Sequence, residues 1–114
     1  RVMDAIMNAY KQNDRATAMQ LLSVALQQDP ANDTLIYFDA VVHDRENTCV
    51  AGDLFERVPK GSVFAAKAQF HRALCALHGA DTARAREILN NVAQSDDVQL
   101  AARARDLLKR LDSM

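Results

Sequence analysis

Ala18, Ala51 and Ala85 recur at intervals of 33 and 34, and each opens the same local pattern. Four residues on stands a large apolar side chain (Leu22, Phe55, Leu89), and three further on Ala25, Val58 or Val92. A second series, Ile6, Ala40 and Ala73, runs at intervals of 34 and 33 and stands about three helical turns ahead of the first. A chain that returns to one pattern about every 34 residues builds a single supersecondary unit several times over. Each unit leaves an apolar face that only its neighbour covers, so the expected product is a stack that presents a surface, not a catalytic pocket.

The composition says which unit is repeated. Alanine supplies 20 of the 114 residues, while Trp is absent and only two Tyr and four Phe occur. Alanine is the strongest helix former, and β-branched and aromatic strand formers are few. With three Gly and two Pro there is little room for long turns. The fold class is therefore all-α, and the length suits one domain.

Helical periodicity and breakers give seven segments. Helix one is expected from Val2 to Gln12, with Asn13-Asp14 as the turn. Helix two runs from Arg15 to Gln28 and stops at Asp29-Pro30, because proline cannot continue a helix. Asn32 or Asp33 caps helix three, which extends to Arg45. Helix four runs from Thr48 to Val58 and is closed by Pro59-Lys60-Gly61. Ser62 caps helix five, which ends near Gly79. Asp81 or Thr82 caps helix six, which reaches Gln94, and Ser95-Asp96-Asp97 opens helix seven. Loops this short make successive helices antiparallel. The chain is thus expected to be a single domain over 1–114, with units at 1–32, 33–61 and 62–96 and a capping helix at 97–112. Opposite its leucine stripe, helix seven carries Arg103, Asp106 and Arg110, the polar outer face a terminal helix needs.

In these positions the chain resembles a tetratricopeptide repeat. The first unit has Ala18, Leu22, Ala25, Leu26 and Pro30 at that family's spacings, and Asn13-Asp14 where the family often has Gly-Asp. The third has Ala73, Ala85, Leu89 and Val92; the second keeps Ala40, Ala51 and Phe55, but Pro59 shortens its second helix. Ile6 departs from the small residue expected in the first unit, which implies looser packing there. The resemblance implies a right-handed superhelix of three antiparallel helix pairs plus a C-terminal capping helix. The stretch from Ala65 to Leu111 is also similar to bacterial tetratricopeptide proteins of the cell envelope, which implies the cytoplasmic or periplasmic side of such an envelope. The chain begins at Arg1 and is expected to be a fragment or a processed form.

The resemblance also implies a concave groove lined by the first helix of each pair, at Met3, Met7, Tyr10, Tyr37, Val41, Phe70, Leu74 and Leu77. This row is strongly apolar, a surface for an amphipathic helix or extended peptide, with methionines that adapt to irregular ligands. The same periodicity fits a core face, and the two readings differ on Phe70: as a groove residue it tolerates truncation, as a core residue it does not. The function expected is protein–protein interaction. The alternative is a homo-oligomerisation or spacer element of a larger envelope protein.

Other chemistries find little purchase. Fourteen basic and fifteen acidic side chains leave a formal net charge of −1, with no basic stripe for nucleic acid or an anionic membrane. No apolar run approaches the ~18–20 residues of a membrane span. His71, Cys75 and His78 recur at helical spacing, and His43 lies on a neighbouring first-type helix, but no paired zinc-ligand spacing accompanies them. No metal or cofactor is expected. Cys49 and Cys75 are expected as two buried thiols; in an oxidising compartment they are the pair for a disulfide. There is no glycine-rich phosphate loop, His-Glu-x-x-His or Gly-x-Ser-x-Gly, so no enzyme activity is expected.

Overall fold

The computed structural model describes residues 2–44 and 52–113. Among these residues the chain is all-α, with seven helices and no strand: α1 (Val2–Lys11), α2 (Arg15–Gln28), α3 (Asp33–His43), α4 (Gly52–Glu56), α5 (Ala65–His78), α6 (Thr82–Ala93) and α7 (Val98–Asp112). None of them is long and apolar enough to cross a membrane. The chain divides into two compact units, residues 1–58 and 59–114, so the boundary falls at the proline that closes the fourth helical segment.

In the first unit α1 packs on α2, α2 on α3, and α3 on α4. The Asp14 carboxylate accepts the Thr17 N–H and caps α2. Asn32, not Asp33, caps α3 by accepting from the Leu35 N–H. Arg15, at the start of α2, donates to the carbonyls of Val42 and His43, both at 3.1 Å. A guanidinium there satisfies carbonyls that the last turn of α3 leaves open and lies at the negative end of its dipole. Ile6, Ala18, Leu22, Ala25, Leu35 and Val42 form this unit's core. Ile6 is fully buried despite its size, so the larger side chain is accommodated within the packing.

In the second unit α5 packs on α6, α6 on α7, and α7 also reaches α5. Phe70, Ala73, Ile88, Leu89, Val92, Leu100 and Ala104 form its core. Asp81 caps α6 and Asp97 caps α7. Arg86 of α6 pairs with Asp112 at the far end of α7, and Arg105 donates to the carbonyl of Ala93 at 2.9 Å, closing the end of α6.

Both alanine series are buried wherever they are described: Ala18, Ala40, Ala73 and Ala85 are each 0% exposed. Ala51 and Cys49 lie outside the described residues. The turns that join α1 to α2 and α5 to α6 are built alike. Asp14 N–H bonds to the Ala9 carbonyl and Asn13 N–H to that of Tyr10; Asp81 N–H bonds to Ala76 and Ala80 N–H to Leu77. These are Schellman turns, each followed at once by an aspartate cap, two repeat lengths apart. Their left-handed residues are Asn13 (φ 68°) and Ala80 (φ 62°).

Two sequence expectations move. Ser62 is not the cap of α5: Phe64 holds that position without a side-chain bond, and the Ser62 hydroxyl instead accepts the Phe64 N–H at 3.0 Å in a preceding turn. Helix three ends at His43, with Asp44 as its C-cap; Arg45 lies outside the described residues. Helix five ends near Gly79 as expected: α5 closes at His78 with Gly79 as its C-cap, and the left-handed residue that follows is Ala80. An L-residue there costs about 1–2 kcal/mol, and glycine's larger unfolded-state entropy returns part of any relief. Ala80→Gly is therefore expected to stabilise the second unit by roughly 0.5–1 kcal/mol. A thermal melt of the variant checks this, and a lowered midpoint contradicts it.

Candidate protein-binding groove

The apolar row divides between the two units, and burial sorts it further. In the first unit Met3, Met7 and Tyr10 on α1 and Val41 on α3 are half-buried, and Met3 and Tyr10 pack against the core. Tyr37 is only 8% exposed, with ring centroids 5.3 Å from Phe38 and 6.1 Å from Phe55. Burial raises the Tyr37 phenol above its ordinary pKa, and the nearby Tyr10 phenol pushes in the same direction. Tyr37 is therefore turned inward, beside Phe38 and Phe55.

In the second unit Phe70 is 5% exposed and belongs to the core, whereas Leu74, one turn on, is 37% exposed; Leu77 is half-buried. Phe70 and Leu74 share a depression of about 430 Å³ with Ala102, Arg103, Asp106, Leu107 and Arg110 of α7. The Arg103 guanidinium lies 4.8 Å from the centre of the Phe70 ring, a cation–π contact that covers the exposed edge of the core. Arg110 and Asp106 pair at 3.0 Å along the same helix face. The site thus has an apolar floor, Leu74 and Leu107, with a charged rim supplied wholly by α7.

That rim was legible in the repeat spacing. Adding one more interval of 33 to Phe70, Leu74 and Leu77 lands on Arg103, Leu107 and Arg110. The role of a polar cap concealed that the outer face of α7 continues the row carried by α5. The physical signal is the leucine at 107, which interrupts an otherwise polar face between two arginines.

The histidine and cysteine positions do not converge. Among the described residues no group of three His, Cys, Asp or Glu side chains is placed to hold a metal ion. His71 and Cys75 are half-buried and His78 is exposed on α5. His43, on α3, donates its Nδ1–H to the Asp39 carbonyl at 2.7 Å. Compared with models of known families, with curated proteins and with solved structures, the chain matches none of them.

Proposed function

We propose that this chain is a tetratricopeptide-like interaction module that binds an amphipathic helix or extended peptide of a partner protein. On this reading its helices form three pairs and a capping helix, coiled as a right-handed superhelix. Two like-built Schellman turns, and buried alanines at repeat positions, support the repeat. The observation that carries the function is the α5–α7 depression. Exposed Leu74 and half-buried Leu107 form an apolar floor between charged groups. Peptide grooves combine such a floor with a few polar groups that fix orientation. The module is non-catalytic on this reading and needs no cofactor.

The test is selection of a displayed random-peptide library on the full chain, followed by affinity measurements with the selected synthetic peptides. Leu74→Asp is expected to weaken binding by roughly tenfold or more, since it places a carboxylate where an apolar anchor should sit. Its melting temperature should stay near that of the parent because Leu74 lies outside the core. Binding indifferent to Leu74→Asp sinks the proposal. Sedimentation of the same pair separates the alternative: an oligomer that Leu74→Asp dissolves would assign the depression to a second copy of the chain.

A further inference from the structure

A second recess lies in the first unit and has no counterpart in the α5–α7 depression. Two hollows, of about 490 and 390 Å³, share Leu26 and Asp39 as a common wall. The first is completed by Met19, Ser23 and Gln27 of α2 and by His43 of α3; the second by Pro30, Ile36, Leu54 and Arg57. The walls are mostly apolar, and the α2 side contributes no charge. Into this setting α3 places the Asp39 carboxylate, whose side chain is only 17% exposed.

That carboxylate is poorly served by the protein. Among the described residues its nearest basic group is His43 Nδ1 at 3.4 Å, beyond a good N–H···O bond, because the same nitrogen donates to the Asp39 carbonyl at 2.7 Å. Burial raises the Asp39 pKa, and the opposing influence of His43 and Arg57 does not cancel it. The fold therefore holds a charge at some cost to its own stability. Since the folded value lies above the unfolded one, the cost is present at neutral pH and disappears as pH falls through the folded value.

We propose that the Asp39 recess receives an arginine or lysine side chain presented by an otherwise apolar segment of a partner protein. Charge complementarity selects this occupant. The carboxylate has open acceptor positions for a charge-assisted hydrogen bond, and a guanidinium matches it in bidentate fashion. In the first hollow the aliphatic stem of a basic side chain packs along Met19 and Leu26 while its head reaches Asp39. Arg57 lines only the second hollow, so a basic side chain is favoured in the first. The proposal stands apart from the α5–α7 reading, since no residue is common to the two sites.

The test is a chemical-shift titration of the ¹⁵N-labelled full chain with two synthetic probes, Ac-Leu-Arg-Leu-NH₂ and Ac-Leu-Gln-Leu-NH₂. The arginine probe is expected to shift amides of α2 and α3 around Met19, Leu26, Ile36 and Asp39. The glutamine probe should bind roughly tenfold more weakly or worse, the scale of one hydrogen bond to a charged group. Asp39→Asn should reduce the arginine probe to the same level, with a melting temperature at pH 7 no lower than the parent's and an advantage that shrinks towards pH 4. Comparing the probes on the unaltered chain keeps the test valid even if the variant folds poorly. Equal affinity for both probes, no binding of the arginine probe, or shifts confined to α5 and α7 would each overturn the proposal. So would shifts at the recess that grow with protein concentration alone, which would place a second copy there.

Discussion

Phe70→Ala is expected to destabilise the second unit by about 3–5 kcal/mol, the usual cost of truncating a buried aromatic side chain. The ring lies within a core that also holds Ala73, Ile88, Leu89, Val92, Leu100 and Ala104, and Arg103 covers its outer edge. Removal leaves a cavity bordered by three helices, whose packed neighbours can collapse only partly into it. It also strands Arg103 without its ring. Denaturant unfolding of the full chain, followed by helical circular dichroism, reads the loss; a cost below ~1 kcal/mol would mean that the ring is a surface anchor. The result bears directly on how a binding experiment is designed. A lost interaction in Phe70→Ala would report unfolding, whereas Leu74, on the same helix face but exposed, isolates the recognition step.

Ala85→Leu is expected to cost ~1–3 kcal/mol by overpacking. Ala85 on α6 and Ala73 on α5 are both without exposed surface, and those helices pack against each other. Methyl-sized side chains with no exposed surface leave no room beside them, so added methylenes must push the helices apart or take strained rotamers. The same denaturant measurement checks it, and Ala83→Leu on the exposed face of α6 is the control, expected to change little. An unaffected midpoint for Ala85→Leu would show that the repeat spacing of the alanines does not mark helix crossings.

The helices and their caps were largely legible because they depend on local chemistry. Arg15–Gln28 matches its expected bounds, and Asp14, Asn32, Asp81 and Asp97 each accept an N–H three residues on, as short polar side chains at helix starts do. Ser62 failed as a cap because Ser-Val-Phe closes a separate turn first, and nothing in the three residues themselves distinguishes the two outcomes. The groove was legible only in part. Periodicity assigned Phe70 and Leu74 to one face, yet one is core and the other exposed. Asp39 gave no signal at all, since a lone aspartate in a helix is ordinary until its burial is known.

By itself the sequence determined the all-α class, the helix boundaries to within a few residues and the burial of the alanine series, because propensity, capping and periodicity act over one or two turns. Only the tertiary structure decided which apolar residues stay accessible and that Asp39 sits in a recess. Each of these depends on how closely separate helices approach, which is set by the side chains packed between them and not by the order of residues along any one helix.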